Sequence, residues 1–419
     1  MTDRRLQRDI VWNLVPVVLL GVVGLGLNFA IAAWWDAAAL GVFNQVTAAF
    51  FIMAVLAAGG LQFSVLRAVA AKPEDPARVA AVVVGALVPT VVLGSLCSVA
   101  FVVLRWPVAR WLDSDDVATG MLWSAPGLLF FGINKVLLGV VNGLRRMRAF
   151  AVYTSLRYSL IAIGLVAAWV GHLESNHLAG IWAFSEGGLL LVLIVELLST
   201  VALRCCAGWT AWTREHLSYG ARGVVATLAF EVNQKLDVWL LGVALSDAQV
   251  GIYSLAAALA EGALQLSVVV QNNVNPLIAR DLAEGRKTAV EELVRRTRRW
   301  FVPALVAICI VASCLYPVTI PWVIRKHEFI AGALPFAILM GGIALSCAYL
   351  PFNTIPLMAG LPGWQTGYVV VVLAINCMTN LALVPRFGLA GAAIGSAAAL
   401  ASSAMLLRWL VRKRIGVRI

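Results

Sequence analysis

Twelve stretches of the chain are apolar over a length that can cross a bilayer: roughly 11–33, 40–66, 79–104, 118–143, 150–170, 179–203, 223–245, 250–278, 301–324, 332–360, 365–384 and 389–411. A transmembrane helix needs about 20 predominantly apolar residues. The pattern therefore predicts an all-α integral membrane protein with twelve transmembrane helices. The first run follows Arg4, Arg5 and Arg8 and contains Ala30-Ile31-Ala32, which imitates a signal-peptidase site. It is too long for a signal-peptide core and reads as an uncleaved first helix. The polar intervals are short, the longest being 279–300. They leave no room for a soluble catalytic domain, so any function must be built from the helices themselves.

Composition agrees with this pattern. Hydrophobic residues make up 61% and charged residues 13% of the chain, with a mean hydropathy of +0.90. Soluble domains average about half apolar and a quarter charged, so a soluble enzyme, a disulfide scaffold and a disordered chain are excluded. The formal charge of +11 invites a nucleic-acid reading, but the distribution of the charge removes it. With the N-terminus in the cytoplasm, 24 Lys and Arg fall on the inner side and 5 on the outer, while Lys135, Arg157 and Lys235 lie within spans. That asymmetry is the positive-inside signal and puts both termini in the cytoplasm, with no nucleic-acid partner. The seven cysteines, Cys97, Cys205, Cys206, Cys309, Cys314, Cys347 and Cys377, form no CxxC pair and read as packing thiols. The four histidines show no HxxxH spacing, so no metal or cofactor is expected.

An internal repeat is visible. Leu40-Gly41-Val42-Phe43 opens the second run and Val250-Gly251-Ile252-Tyr253 the eighth, 210 positions on. Leu178-Ala179-Gly180 and Leu389-Ala390-Gly391 match at an offset of 211. Two matches at nearly one offset point to a duplicated six-helix unit, and an even helix number makes the repeat parallel. The expected organisation is an N-lobe over 1–203, a cytoplasmic linker over 204–222 and a C-lobe over 223–419, around a central cavity.

Charges inside a span cost about 2.5–3.5 kcal/mol on insertion scales, so each requires a reason. At 100° per residue, Ser254, Glu261, Gln265 and Asn272 of the eighth span fall within roughly 40° of one another. This stripe is either the wall of a wet cavity or an interhelical hydrogen-bond seam. Asn44, Thr47 and Gln62 share a face of the second span. Thr227, Glu231, Gln234 and Lys235 share a face of the seventh, where Glu231 and Lys235 are either a local (i, i+4) pair or a cation and a proton-loading carboxylate facing substrate. Asp237 points away from that face and suits a tie to a neighbouring helix. Lys135 and Arg157 can snorkel to the interface or form a basic vestibule. Glu186 and Glu196 are either coupling carboxylates or partners of a cation on another helix. The 279–300 segment reads as an amphipathic surface helix or a solvated linker, with Arg295, Arg296, Arg298 and Arg299 among headgroups.

Several of these stretches carry a family resemblance. They are Leu40-Gly41-Val42-Phe43 through Gln62-Phe63-Ser64, Leu236-Asp237-Val238-Trp239-Leu240-Leu241-Gly242, Val250 through Ala256, Pro276, and Phe387-Gly388-Leu389-Ala390-Gly391-Ala392-Ala393-Ile394-Gly395. Together they resemble bacterial polysaccharide flippases of the Wzx or O-antigen type, in the multidrug/oligosaccharidyl-lipid/polysaccharide superfamily. The resemblance implies a carrier that moves an undecaprenyl-pyrophosphate-linked oligosaccharide repeat unit from the inner to the outer leaflet by alternating access. It further implies a monomer working among membrane lipids beside polysaccharide polymerase machinery. Cavity cations would meet the pyrophosphate, and Lys235, Arg157 and Lys135 are of the matching type. The first span lacks an internal Lys or Arg and no helix follows the twelfth, which argues against the fourteen-helix lipid II flippase branch. The transport cycle must use a gradient of H⁺ or Na⁺, with Glu261, Glu231 and Glu186 as coupling candidates, or follow consumption of product. The alternative is a cation-coupled multidrug exporter of the related branch, for which an acidic cavity is expected. A membrane glycan polymerase or acyltransferase is a third reading, without the outer loop or intramembrane His/Asp constellation such enzymes use.

Overall fold

The computed structural model describes residues 3–201 and 207–418. Arg204, Cys205 and Cys206 lie outside them, as do the side chains of Arg4, Arg5 and Arg8. Among the described residues all regular structure is helical: α1 (Asp3–Trp34), α2 (Ala37–Ala58), α3 (Leu61–Ala71), α4 (Pro76–Leu112), α5 (Asp115–Ser124), α6 (Pro126–Gly143), α7 (Met147–Val170), α8 (Gly180–Thr200), α9 (Trp209–Ala244), α10 (Asp247–Ala283), α11 (Lys287–Ile324), α12 (Ala333–Ser346), α13 (Ile355–Met358) and α14 (Pro362–Leu410). Nine helical segments of the described residues are long and apolar enough to cross a membrane. The protein is a multi-pass membrane protein.

Local chemistry sets the helix ends. Asp75 accepts from Arg78 N at 3.0 Å, and Pro76 occupies the first position of α4, where its missing N–H deprives the helix of nothing. Ser246 and Gln249 close a capping box on α10, satisfying donors that a helix start leaves open.

Three expected spans are interrupted, and two are joined. Gly59 and Gly60, with φ of +55° and +70°, separate α2 from α3 inside the 40–66 run. Pro126 opens a new helix inside 118–143. The 332–360 run is α12 followed by short turns and the single-turn α13. The 389–411 run continues α14, with Gly388 (φ 56°, ψ −129°) marking the kink between its two arms. The 279–300 segment is neither a separate surface helix nor a loose linker. It is the end of α10, a turn at 284–286 and the start of α11. At 1.5 Å per residue α11 is about 57 Å long, roughly twice the hydrocarbon thickness, so its basic first turns extend out of the apolar layer.

Two compact units form, one from Met1–Trp35 and Val42–Val232, the other from Asp36–Gly41 and Asn233–Ile419. In the first, Val65 and Val69 of α3, Val82 and Val83 of α4, Val136 and Leu137 of α6 and Leu189 and Leu193 of α8 share one core. The start of α9, expected as part of a connecting segment, is helical and bolted to this unit. Thr213 Oγ1 donates to Gly85 O at 2.9 Å, and a Cβ on Gly220 would lie 2.1 Å from Gly59 O. In the second unit, Val274 and Ile278 of α10, Val290 and Val294 of α11, Phe352, Ile355 and Leu407 pack with Val411, Ile415 and Val417 of the C-terminal tail. The repeat glycines meet inside this unit. A Cβ on Gly41 would lie 1.8 Å from Asp247 O, and one on Gly251 would lie 1.9 Å from Ala37 O. The contact is self-complementary, each glycine facing the carbonyl four residues before the other.

Candidate functional site

In the first unit, three helices bring an acid, an amide and two cations together. Asn134 and Lys135 stand on α6, Arg157 on α7 and Glu186 on α8. Arg157 Nε lies 2.9 Å from Glu186 Oε1, and Nη2 donates to Oε2 at 3.1 Å. Asn134 Nδ2 donates at 2.8 Å to the same Oε2 and at 2.8 Å to the Glu186 carbonyl. Gly188 makes room for this approach, since a Cβ there would stand 3.0 Å from Leu160 of α7. Arg157 is buried and paired, so it does not snorkel to the interface. Glu186 is 2% exposed, and its charge is balanced by Arg157. Glu196 is likewise engaged, by Arg146 and by Tyr153 Oη, which donates at 2.8 Å.

Lys135 stands apart from this pairing. Its Nζ lies 5.0 Å from the centre of the Phe131 ring, whose face Arg157 also approaches, at 5.3 Å. Such contacts stabilise a desolvated cation modestly. The charges acting on Lys135 are Arg157, Glu186 and Glu231 of α9, and among the described residues it forms no ion pair. A half-buried ammonium beside a saturated ion pair has the chemistry to pair with an anion.

The other candidates divide. Glu261, Gln265 and Asn272 of α10 are exposed, as is Gln234 of α9, whereas Ser254 is buried. Glu231 and Lys235 are half-buried. The α2 triplet does not form one face, because the Gly59-Gly60 break intervenes between Thr47 and Gln62. Thr47 is buried and accepts from Trp182 Nε1 at 2.9 Å, a packing tie to α8. Asn44 Nδ2 donates to Asn28 Oδ1 of α1 at 3.1 Å. The proposed headgroup cluster is also divided. Arg298 is half-buried and donates to Ala348 O at 2.6 Å, with its guanidinium 4.4 Å from the Tyr349 ring centre, while Arg295, Arg296 and Arg299 are exposed.

In the second unit the sequence expectation for Asp237 holds and extends. Its Oδ2 accepts from Tyr253 Oη of α10 at 3.2 Å and from Ser396 Oγ of α14, and its Oδ1 accepts from Asn380 Nδ2 at 3.2 Å. Asn380 is oriented by Asn376 Oδ1 at 2.7 Å. All these partners are neutral. Asn376, Asn380 and Ser396 were not apparent as site residues. The available signal was a pair of amides at (i, i+4) in an apolar run, opposite Gly395, where a Cβ would lie 2.9 Å from Asn380 Nδ2. No group of three His, Cys, Asp or Glu among the described residues can hold a metal ion. The chemistry on offer is recognition of an anion at Lys135 and of a proton or small cation at Asp237.

Solved structures share this fold. An inward-facing multidrug resistance MATE family transporter of the MOP superfamily matches with a TM-score of 0.79 at 13% identity, over 97% of this chain and 98% of that one. The lipid II flippase MurJ, in an inward closed conformation, matches with a TM-score of 0.77 at 12% identity, over 96% and 88%. The fold is thus the one these transporters of the MOP superfamily adopt. The chain belongs to the polysaccharide biosynthesis protein family, which matches residues 6–280. A relative from Haloferax volcanii, the "Probable low-salt glycan biosynthesis flippase Agl15", is 20% identical over 417 residues, covering 95% of this chain and 82% of its own length.

Proposed function

We propose that this protein is a flippase for a lipid-linked glycan: an undecaprenyl-pyrophosphate-linked oligosaccharide repeat unit, carried from the cytoplasmic to the outer leaflet of the inner membrane by alternating access. The observation that carries the reading is Lys135, an intramembrane cation that forms no ion pair among the described residues, its neighbour Glu186 being bound by Arg157 and Asn134. A pyrophosphate cannot enter hydrocarbon unaided, and a cation there needs an anionic partner. Family membership and the glycan flippase relative support the same reading. Glu261, Gln265 and Asn272 are exposed in the middle and second half of an apolar helix. A carboxylate facing lipid there is costly, so this face suits a wet path for sugar. Lys235 and Gln234 of α9 add polar side chains in the same unit.

Coupling, in this proposal, rests on Asp237 rather than Glu186. Asp237 has only neutral partners and gains most from a proton or a monovalent cation, whereas the charge of Glu186 is already matched. The protein works as a monomer with both termini in the cytoplasm, supplying polysaccharide polymerase machinery.

Complementation of a flippase-deleted bacterium, read by surface-polysaccharide staining at matched expression, tests the proposal. Wild type restores polymer, and Lys135→Ala and Lys235→Ala lower it, Lys135→Ala by about tenfold, the scale of one charge-assisted hydrogen bond. Asp237→Asn, through coupling, and Glu261→Gln, through sugar contact, each also lower polymer. If wild type leaves polymer absent and instead confers resistance to cationic drugs, the multidrug exporter replaces this reading.

A further inference from the structure

A cavity of about 500 Å³ opens where α10 ends, α11 begins, α13 turns into α14 and the tail after α14 returns. Its wall has two characters. Leu282, Met358, Leu361 and Ile415 are apolar lining side chains, and Lys287 and Arg414 are its cations. Local structure explains this division. Val411–Ile415 is a single π turn that sends Val411 and Ile415 into the core and leaves Arg412, Lys413 and Arg414 outside. The Arg414 guanidinium lies 4.0 Å from the centre of the Trp364 ring, and Lys413 Nζ lies 4.9 Å from that of Trp409.

The nearby carboxylates are already engaged. Asp281 is held by Arg280 and Arg286, and Glu284 by Arg286. Glu291 Oε1 accepts from Arg418 N at 2.7 Å. Lys287 and Arg414 are therefore left, among the described residues, without an acidic partner in the lining of a half-apolar cavity of ligand size.

We infer that this cavity binds an anionic membrane phospholipid, with its phosphate between Lys287 and Arg414 and the root of an acyl chain against Leu282, Met358, Leu361 and Ile415. The charge selects an anion, and the apolar wall selects an amphiphile over free phosphate. Trp364 and Trp409, both exposed, are the side chains that favour headgroup depth. The site shares no residue with Lys135 or Asp237. Only the choice of the cytoplasmic leaflet rests on the proposed topology.

The test uses the full chain in nanodiscs of phosphatidylcholine, with or without phosphatidylglycerol, and counts retained lipid by native mass spectrometry. Wild type retains phosphatidylglycerol in preference to phosphatidylcholine. Lys287→Gln with Arg414→Gln weakens that retention by about thirtyfold, the scale for removing two basic contacts at an anionic surface. Arg105→Gln with Arg110→Gln, on α4, leaves it unchanged. Leu361→Trp, which keeps both cations and fills the apolar part, also lowers retention. Equal retention of the two lipids, or a double variant that behaves as wild type, overturns the inference. Displacement by millimolar inorganic phosphate makes the site a simple anion site, and tighter capture of a polyprenyl pyrophosphate assigns it to the transported substrate; either result overturns the phospholipid reading.

Discussion

His216 is wholly buried between α3 and α4, with Nδ1 2.7 Å from Ser64 Oγ and Nε2 3.2 Å from Val82 O. A carbonyl can only accept, so Nε2 carries the proton and Nδ1 accepts from Ser64. Burial pushes the imidazole below its ordinary pKa, and the folded ring is neutral where the unfolded one takes a proton. The stability this contributes is present above about pH 6.5 and is lost as pH falls through that value toward the depressed one. Thermal melts from neutral to mildly acidic pH should decline in wild type, with a shallower decline in His216→Gln. Glu186 behaves differently, because its removal strands Arg157. Glu186→Ala should destabilise the protein by about 3–5 kcal/mol, the scale for breaking a buried pair from one side, read as lost folded yield and a lower melting temperature. From the residues alone Glu186 was open between coupling and pairing. Helical arithmetic gives a side chain's direction along its own helix, but not which neighbour faces it.

At the scale of elements, the repeat motif has a physical reason for its glycines. Gly41 and Gly251 face one another's helix starts so closely that a methyl on either would overlap a carbonyl oxygen, at 1.8 Å and 1.9 Å. Gly41→Ala and Gly251→Ala should each destabilise the protein by about 1–3 kcal/mol or more, as overpacking does. Gly21→Ala, where nothing lies within 4 Å, serves as the control in the same melting experiment. The apolar runs made the helices legible, because twenty residues without charge have few other places to go. The breaks were harder to see. Gly59-Gly60 sits within unbroken hydrophobicity, and only its positive φ separates α2 from α3, whereas the interval between the 365–384 and 389–411 runs already marked the bend at Gly388. The hidden break at Gly59-Gly60 is why Asn44, Thr47 and Gln62 looked like one face and are not; within Arg280 through Trp300 the break is a charged turn at Gly285, where φ is +71°.

At the scale of the whole molecule, the sequence carried the class of protein but not its chemistry. Charge asymmetry and hydropathy define a multi-pass protein, whereas the pairing of Arg157 with Glu186 and the neutral cage around Asp237 depend on residues far apart in the chain. Asp237 meets Asn380 and Ser396 across some 140–160 positions, beyond the reach of any local pattern. The same distance appears in the core of the second unit, where Val411, Ile415 and Val417 pack with Val274 and Ile278. A translating ribosome releases α10 long before those tail residues. The first unit has all its core side chains in hand once α9 emerges, but the second must wait for residue 417 before its core can close. Its helices therefore enter the membrane ahead of the segment that completes their packing, and a nascent chain stalled before that point would present Val274, Val290 and Phe352 uncovered to the quality-control proteases of the membrane.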